Sequence, residues 1–568
     1  MTKFNTRLVS LALFAGCASA IWPIPASYKH GSGVVWLSDD VCMDLDHPQM
    51  NDQEVNRRIN DAWDRAKATI FEEKFIPWKF HKRGEKFEPQ SKSGREIKKI
   101  EIKQTKAESS DPPKYGEFDE SYNLTIPLNS DTAYITAPSS YGILHALTSM
   151  TQLFYYSKNF HGVVYSKLGP ISIIDKPKFQ HRGLNLDVAR QWYPKEDILR
   201  TIDALAWNKM NRLHLHVTDS QSWPIEIPAL PKLAQNGAYA DGLTYSPDDI
   251  QAILTFAEKR GVQVIVEIDM PGHTSVIHEA YPELITGWNI QPNWATYAAQ
   301  PPSGSLKLKN PAVKKFLSTL IGDLLPRLRD NSPYFHTGGD EVNKNVYLFD
   351  EGIRSNDTKV LTPALQDFVS HVHGEVKNNK MSPVVWEEML LDWNLTMSSE
   401  TIVQTWLSDE STRNVVNRGH RAIAGNYNFW YLDCGNGQWL DFGPKVAQQF
   451  YPYNDYCAPK KNWRLIYSYD PIAGLDPNQA KLVLGGEVHA WSEQIDGVNL
   501  DSMVWPRASA AGEVLWSGRK DANGTDRTFA DASPRLAEFR ERLVLRGVGA
   551  TPVMQLWCHQ NEGDCALN

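Results

Sequence analysis

The chain has 568 residues, more than one ordinary domain contains, which predicts two domains. Hydrophobic residues make up 42% and charged residues 22%, the composition of a soluble globular protein with ample material for a large core. The formal net charge of −8 is not that of a basic, nucleic-acid-binding protein, which argues against nucleic acid as a partner. The chain is also rich in tryptophan, with 19; most are expected to pack in the core, but indole faces also suit sugar rings.

Residues 1–20 have the features of a secretory signal peptide. Lys3 and Arg7 precede a mostly apolar run over 8–18, and Ala18-Ser19-Ala20 forms a small-residue cleavage site. The apolar run is too short to span a bilayer, and no later stretch is long enough. The sequence therefore predicts a secreted, extracellular protein without a membrane partner.

The segment 21–176 predicts a separate, smaller α+β domain. Strands are expected over 31–41, 97–104, 122–128 and 132–137, and helices over 52–70 and 141–155. The polar, charged run 81–95 predicts a mobile loop. No catalytic constellation stands out in this segment, so its expected role is to pack against the domain that follows.

From residue 177 short strands alternate with helical segments, which predicts a parallel sheet in a second domain, 177–568, that ends in a helix. The expected strands cover 182–188, 212–217, 262–268, 334–337, 383–386, 401–406, 421–425 and 481–488, with helices such as 197–210, 247–260, 311–328 and 363–378. Eight repeats of strand and helix favour a closed (β/α)₈ TIM barrel. An open doubly wound sheet is the alternative, but no Gly-rich dinucleotide turn supports it.

The fourth of these strands ends in the run HTGGDE at 336–341. Neighbouring side chains of a regular strand point to opposite faces, so Asp340 and Glu341 can serve one pocket only if the backbone bends. Gly338 and Gly339 permit such a bend, because glycine tolerates dihedral angles that other residues avoid. The plainer alternative for this run is a strand end with two solvated acids.

Acids, aromatic residues and one arginine recur at the carboxyl ends of all eight predicted strands, where a barrel places its chemistry. Packing alone does not explain such a distribution. In chain order these residues are Asp187, Arg190, Asp219, Glu267, Asp269, His273, Asp340, Glu341, Trp386, Glu387, Glu388, Gln404, Trp406, Trp430, Tyr431, Asp433, Glu487, His489, Trp491 and Glu493.

Carboxylates, tryptophans and an arginine suit the cleavage of a glycosidic bond, which needs a proton donor and stabilisation of an oxocarbenium-like centre. A working acid needs a raised pKa, and Asp340 could supply the neighbouring negative charge for Glu341. His273 and Asp219 could form a hydrogen-bonded relay behind the acid. No C-x-x-C or His-rich spacing appears, so neither a metal nor another cofactor is expected.

The cysteines and the glycosylation sequons fit an oxidising compartment. Because each pair is close in sequence, we expect the disulfides Cys434–Cys457 and Cys558–Cys565. Cys17 is removed with the signal peptide, so Cys42 is expected to remain unpaired. Four Asn-x-Thr sequons predict N-glycosylation on exposed loops. They lie at Asn123, Asn356, Asn394 and Asn523.

Several motifs together resemble glycoside hydrolase family 20, the β-N-acetylhexosaminidases, and the secreted fungal enzymes in particular. The resemblance covers the chain from about residue 176 to its end, and the N-terminal segment fits the family's preceding domain. The motifs are HTGGDE at 336–341, His181-Arg-Gly with Asp187 and Arg190, Asp269-Met-Pro-Gly-His273, Trp430-Tyr431-Leu-Asp433, GGEVHAWSE at 485–493 and Trp505-Pro-Arg507.

The resemblance implies an exo-acting enzyme that removes terminal GlcNAc or GalNAc from chitooligosaccharides and other glycans by substrate-assisted, retaining catalysis. In that mechanism the substrate's 2-acetamido oxygen attacks the anomeric carbon. Glu341 is then the general acid and later the base, and Asp340 orients the acetamido N–H. Asp219 and His273 support the acid from behind.

The same resemblance implies roles for the residues around the sugar. Tyr431 would hydrogen-bond the acetamido oxygen, Arg190 and Glu493 the 3- and 4-hydroxyls, and Asp433 the 6-hydroxyl. The pocket walls would be Trp386, Trp406 and Trp491. Relatives often form homodimers, and in the secreted fungal enzymes a propeptide is released, which here would extend to about residue 99.

Alternative interpretations stay open from the sequence alone. Arg190 could be a structural ion-pair partner of Asp187, and His273 a buried histidine with Asp219 as its partner. The whole protein could be a sugar-binding protein that has lost catalysis, although the set Asp340, Glu341 and Tyr431 is intact. It could also be a conventional two-carboxylate glycosidase without preference for N-acetyl sugars.

Overall fold

The computed structural model describes residues 21–49, 52–109, 111–443 and 445–567, so the predicted signal peptide lies outside the described residues. The described chain forms a six-stranded sheet with two helices, followed by a closed barrel of eight parallel strands. The predicted TIM barrel with a smaller α+β domain before it is therefore confirmed. No helix in these described ranges is both long and apolar enough to cross a membrane.

The first domain is a sheet in the order β1-β2-β4-β3-β6-β5, in which β1 also pairs with β6. Helix α1 begins after Asp52, whose side chain accepts from the N–H groups of Glu54 and Val55 and so caps it. The buried side of α1 shares one core with α2 and the sheet. The elements are β1 (Ser27–Asp46), α1 (Gln53–Phe71), β2 (Glu96–Gln104), β3 (Tyr122–Ile126), β4 (Thr132–Ala137), α2 (Ser140–Thr151), β5 (Tyr155–Tyr156) and β6 (Val164–Asp175).

The second domain closes its eight strands in chain order, with the last strand paired to the first. All eight predicted strands are present, and their ends differ from the predicted ones by at most two residues. They are β7 (His181–Asp187), β8 (Arg212–His216), β9 (Gln263–Glu267), β12 (Tyr334–His336), β13 (Ser382–Trp386), β14 (Ile402–Thr405), β15 (Arg421–Ala424) and β16 (Val483–Ala490); a small ribbon joins β10 (Ile285–Thr286) to β11 (Ser305–Leu306).

Helices surround the barrel, and the longer ones bury an apolar face in the core that they share with the strands. Helix α7 begins five residues before the predicted start, because Asp357 caps it by accepting from the N–H of Lys359. The helices are α3 (Lys195–Trp207), α4 (Lys232–Gly237), α5 (Pro247–Glu258), α6 (Pro311–Leu328), α7 (Thr358–Asn378), α8 (Glu387–Leu391), α9 (Asp409–Asn417), α10 (Tyr427–Trp430), α11 (Trp463–Ser468), α12 (Pro477–Ala480), α13 (Leu500–Val504), α14 (Arg507–Ser517), α15 (Phe529–Leu545) and α16 (Leu556–Gln560).

The two domains meet across buried polar contacts. Lys209 lies in the junction and donates to Asp175 at 3.0 Å and to the hydroxyl of Tyr122 at 2.8 Å. Tyr115, from the loop after β2, reaches the amino end of the barrel and stacks on Tyr334 with ring centroids 4.6 Å apart. The first domain therefore closes the end of the barrel opposite to the carboxyl ends of its strands.

Both predicted disulfides are confirmed: Cys434 bonds to Cys457 and Cys558 to Cys565, while Cys42 is exposed and unbridged. All four sequon asparagines are exposed. Asn123 departs from the prediction in one respect, because it lies on strand β3 rather than on a loop. The predicted loop 81–95 contains no helix or strand and is anchored by Glu88, which accepts from the hydroxyl of Ser157.

Candidate active site

The backbone after β12 bends as the two glycines predict. Gly338 has a φ of +66°, Gly339 of +105° and Glu341 of +50°. A Cβ atom at Gly338 would overlap the Asp269 carboxylate, so only glycine fits there. The bend brings Asp340 and Glu341 to the same pocket, with their carboxylate oxygens 3.8 and 3.3 Å from Nε2 of His273.

Asp340 is the more buried of the two acids, with 14% of its side chain exposed against 35% for Glu341. Its Oδ1 is buried and receives no hydrogen bond from an N–H or hydroxyl group of the described residues, while the Asp269 carboxyl group lies beside Asp340. Burial raises the pKa of Asp340, and burial together with the nearby charge of Asp340 raises the pKa of Asp269. Asp269 accepts from the N–H of Gly339 at 2.7 Å and so holds the bend in place.

Glu341 faces the open side of the pocket. It lines a cavity of about 400 Å³ together with residues from the loops after β14, β15 and β16. Behind it, His273 has a φ of +55°, and its Nδ1 lies 3.1 Å from Oδ1 of Asp219. The structure thus places the predicted pair Asp219 and His273 directly behind the partly exposed acid.

Charge around His273 favours its protonated form. Burial acts to lower the pKa of this imidazole, but the carboxylates of Asp219, Asp340 and Asp269 together raise it well above the ordinary value. Burial likewise acts to raise the pKa of Asp219, and the nearby Arg190 guanidinium and His273 lower it overall. An imidazolium at this position, 3.3 Å from a Glu341 oxygen, can stabilise negative charge on that carboxyl group.

Arg190 belongs both to an ion-pair cluster and to the pocket. Its guanidinium lies 3.3 Å from Asp187 and 2.9 Å from Asp219. The ion pair with Asp187 that the sequence left open as an alternative is therefore present. The group also lies 5.2 Å from the ring centre of Trp491, and its Nε is buried without a hydrogen-bond partner in the part of the chain that the structure describes. The two carboxylates therefore orient the arginine and leave one N–H for a ligand.

Four aromatic rings line the pocket. Trp406 and Tyr431 stack with centroids 6.2 Å apart and planes 16° from parallel. Trp491 lies 6.1 Å from Trp386 and 6.4 Å from Tyr431. Burial raises the pKa of the Tyr431 hydroxyl, which is therefore a proton donor in hydrogen bonds and not a phenolate. The rings form an apolar enclosure with one hydroxyl, a shape that suits a sugar with an apolar substituent.

Buried glutamates hold two of these indoles in place. The indole N–H of Trp386 donates to Glu267 at 2.7 Å, and that of Trp406 donates to Glu388 at 2.9 Å. Glu387 fixes the same segment by accepting from the backbone N–H of Trp406 at 3.1 Å. Sequence reasoning gave Glu387 and Glu388 no firm role, because glutamates after a strand could equally form salt bridges at the barrel rim.

Asp433 and Glu493 complete the ring of polar groups. Oδ1 of Asp433 is buried and has no hydrogen-bond partner among the described residues. Burial and, after it, the charge of Glu493 raise the pKa of the Asp433 carboxyl group. Glu493 accepts from Gln300 at 2.6 Å. The disulfide between Cys434 and Cys457 closes a loop in the segment between β15 and β16. Cys434 directly follows Asp433 in the sequence. The residues predicted to catalyse, to bind the sugar and to support the acid therefore border one pocket or contact a residue that does, whereas Trp430 packs in the core against Tyr469.

Three groups of side chains in the described ranges have oxygen, nitrogen or sulfur atoms that could bind a metal ion, all within 4.8 Å of one another. In one group the two sulfur atoms are joined in a disulfide. In the other two groups the side chains contact each other through hydrogen bonds or ion pairs. The groups are His214, Glu267 and His336; Asp433, Cys434 and Cys457; and Asp269, His273 and Asp340.

Known proteins are similar to this chain in both sequence and fold. The family profile described as "Glycosyl hydrolase family 20, catalytic domain" matches residues 179–519, and "beta-acetyl hexosaminidase like" matches residues 21–153. A "Beta-hexosaminidase" of Arthroderma benhamiae is 39% identical, with 98% of each chain covered, and one of Emericella nidulans is 31% identical over 100% of this chain and 99% of its own.

A more distant relative and a solved structure extend the comparison. The "Chitooligosaccharidolytic beta-N-acetylglucosaminidase" of Ostrinia furnacalis is 31% identical over 79% of this chain and 75% of its own. The chitobiase of Flavobacterium johnsoniae superimposes with a TM-score of 0.72 at 26% identity, covering 93% of this chain and 73% of that one.

Proposed function

The chain belongs to glycosyl hydrolase family 20 and is a β-N-acetylhexosaminidase, and from that premise we propose how its residues share the work of hydrolysis. The observation that carries the proposal is the pair Asp340 and Glu341, which the bend at Gly338 turns into one pocket. Asp340 offers a buried oxygen that receives no hydrogen bond from an N–H or hydroxyl group of the described residues, and Glu341 offers a partly exposed carboxyl group that faces the cavity.

In the first step Glu341 gives its proton to the glycosidic oxygen as the bond from that oxygen to the anomeric carbon breaks. The carbonyl oxygen of the substrate's 2-acetamido group attacks the same carbon and forms an oxazolinium ion. Asp340 accepts the acetamido N–H and so aligns the carbonyl for attack. Its negative charge also stabilises the positive charge that develops on the ring.

In the second step the roles reverse. The Glu341 carboxylate removes a proton from a water molecule, which attacks the anomeric carbon and opens the oxazolinium ring. Two displacements on one carbon retain the configuration of the sugar. No enzyme carboxylate needs to act as a nucleophile, which fits a pocket where the second acid, Asp340, is shielded by burial.

The remaining polar groups would hold the terminal sugar. Tyr431 donates to the acetamido oxygen, while the buried Nε of Arg190 and the carboxylate of Glu493 bind the 3- and 4-hydroxyls. The buried Oδ1 of Asp433 takes the 6-hydroxyl. The indoles of Trp386, Trp406 and Trp491 enclose the acetamido methyl group and the sugar ring.

We propose chitooligosaccharides as the substrate class, in line with the names of the Ostrinia furnacalis relative and of the Flavobacterium johnsoniae chitobiase. The cavity of about 400 Å³ in front of Glu341 leaves room for a second sugar as the leaving group. GalNAc-terminated glycans are the alternative within the same class.

A short substrate panel tests this proposal. The purified protein should hydrolyse 4-nitrophenyl β-GlcNAc and chitobiose, and should leave 4-nitrophenyl β-glucoside uncleaved because that substrate has no acetamido group. Hydrolysis of the glucoside at a similar rate would favour a conventional two-carboxylate glycosidase. Tight binding of chitobiose without turnover would favour a sugar-binding protein.

Some expectations remain proposals of the same kind. Secretion rests on the predicted signal peptide and is compatible with the two disulfides. The homodimer and the propeptide up to about residue 99 rest on resemblance alone. N-terminal sequencing of the secreted protein and its mass in solution would decide all three.

A further inference from the structure

Two carboxylates inside the barrel, Glu267 on β9 and Glu487 on β16, take no part in the reaction as proposed above. Both are fully buried beneath the aromatic pocket. Buried charges are costly unless they are paired, so their partners indicate what they do. Both of them contact histidines of the barrel: Glu267 contacts His214 and His216 on β8 and His336 on β12, and Glu487 contacts His181 on β7 and His214 on β8.

Glu487 accepts from Nε2 of His181 at 2.7 Å and from Gln404 at 2.8 Å, and lies 3.0 Å from Nδ1 of His214. The other ring nitrogen of His214 lies 3.0 Å from Glu267. His214 is thus held between two carboxylates, one at each ring nitrogen. The side-chain amide nitrogen of Asn185 lies 3.2 Å from Nδ1, and exchanging the amide's nitrogen and oxygen would let the oxygen, which has no partner among the described residues, accept from a protonated Nδ1.

His216, two residues further on β8, repeats this arrangement. Its Nδ1 lies 2.5 Å from Glu267 and its Nε2 lies 2.9 Å from Asp219. A ring nitrogen must carry a proton to donate to a carboxylate, so two such contacts require the imidazolium form. Burial acts to lower the pKa of His214, but the carboxylates of Glu487 and Glu267 raise it to about 9.

These contacts build a row of alternating charges along the barrel interior. Its members, from the amino end of the barrel toward the site, are Glu487, His214, Glu267, His216, Asp219 and His273. The row ends where Nε2 of His273 lies 3.3 Å from Glu341. The other charged groups that face His273 are Asp269, Asp340 and Arg190, at 3.9, 3.8 and 3.5 Å.

The lower end of the row is capped by the first domain. Burial lowers the pKa of His181, so this ring is neutral, and its Nδ1 accepts from the hydroxyl of Tyr115 at 2.6 Å. Its Nε2–H is then left to donate to Glu487. His181 and His214 therefore face the Glu487 carboxylate from two sides.

We propose that Glu267 and Glu487 are positioning residues for the hydrolysis proposed above, on which this inference rests. By holding His214 and His216 charged, they fix the Asp219 carboxylate, and Asp219 in turn keeps His273 charged and pointed at Glu341. When Glu341 gives its proton to the glycosidic oxygen, His273 keeps its own proton and stabilises the new carboxylate through a hydrogen bond.

Leaving-group dependence separates this role from a structural one. If the Glu341 carboxylate is less well stabilised, hydrolysis of chitobiose should slow more than hydrolysis of 4-nitrophenyl β-GlcNAc, because the sugar alcohol of chitobiose leaves only with a proton. For Glu267→Gln we expect the chitobiose-to-aryl ratio of kcat to fall about tenfold, or about 1.4 kcal/mol. Glu487→Gln, one step further from the site, should shift the ratio in the same direction by less.

Glu120→Gln is the matched control. Glu120 is also buried and ion-paired, with Arg182 and His145, but it lies at the domain junction outside the row. It should change both substrates equally, if at all. An equal loss on both substrates in Glu267→Gln, or the same ratio change in Glu120→Gln, would overturn the inference. Failure of the unmodified enzyme to cleave either substrate would instead contradict the proposed function.

A spectroscopic test does not depend on whether the variants fold. At about pH 8, where an ordinary histidine is neutral, nitrogen-15 histidine spectra of the unmodified protein should show three imidazolium rings with both protons retained. These would be His214, His216 and His273. Fewer than three such rings would contradict the charge row, whereas three would support it.

Discussion

Replacing Gly338 by alanine tests whether the bend after β12 creates the site. Alanine at a φ of +66° costs about 1–2 kcal/mol in backbone strain. Its methyl group would overlap the Asp269 carboxylate, which has to move, and overpacking of that kind costs about 1–3 kcal/mol more. We therefore expect the free energy of unfolding to fall by about 2–5 kcal/mol in denaturant melts.

The effect on catalysis should exceed the effect on stability. Asp269 accepts from the N–H of Gly339 and lies beside Asp340, so its displacement shifts the residue that aligns the acetamido group. A misplacement of about 1 Å can cost about 100-fold in rate. Gly338→Ala should accordingly lower kcat/KM for 4-nitrophenyl β-GlcNAc by about that factor, in enzyme that is folded by circular dichroism.

Gly419→Ala is the control for strain without overlap. Gly419 has a φ of +80°, but a methyl group there would meet no atom within 4 Å. This variant should lose about 1–2 kcal/mol of stability and keep its kcat/KM. If Gly338→Ala behaved like Gly419→Ala in both measurements, the reasoning about the bend would be wrong.

Three further changes probe the acid, the acetamido partner and a buried carboxyl group. Glu341→Gln should lower kcat for chitobiose by about 10²–10⁴-fold and affect activated aryl substrates less; near-normal turnover of chitobiose would refute its role. Asp340→Ala should lower kcat/KM for every N-acetyl substrate, and unchanged values would argue against assisted attack. Burial raises the pKa of Glu387 to about 7, whereas the unfolded chain loses that proton near 4.5. The stability of the folded state should therefore fall by about 2–3 kcal/mol as pH rises from about 4.5 to about 7. Glu387→Gln should remove this part of the pH dependence of urea melts, and an unchanged profile would contradict the assignment.

The periodic parts of the fold were predictable from the sequence. Short apolar runs bounded by helices indicated all eight barrel strands, and polar residues at their carboxyl ends indicated the pocket. The bend was predictable as well, because Gly338 and Gly339 stand between a strand and two acids, where they allow backbone angles that a strand does not use. Both disulfides followed from closeness in sequence.

Other features depend on contacts that a sequence does not display. Strand β6 contains Gly169 and Pro170, which weaken a strand pattern, yet it pairs with three other strands. The role of Asp269 depends on the backbone that it meets at Gly338 and Gly339.

The charge row is the clearest case. His214 and His216 alternate along β8 and so share a face, but polar residues on a strand normally indicate the solvent side. Here that face points into the barrel, where Glu267 and Glu487 pair with the two histidines. The row is visible only once strands far apart in sequence are brought together.

The most direct test of the account is a series of aryl β-GlcNAc substrates whose acetamido methyl group carries one, two or three fluorine atoms. Fluorine draws electrons from the carbonyl oxygen and weakens it as a nucleophile, while the leaving group stays the same. If the substrate's own amide attacks the anomeric carbon, kcat/KM should fall steeply with each added fluorine. A flat series, or a sugar trapped on an enzyme carboxylate, would contradict the account.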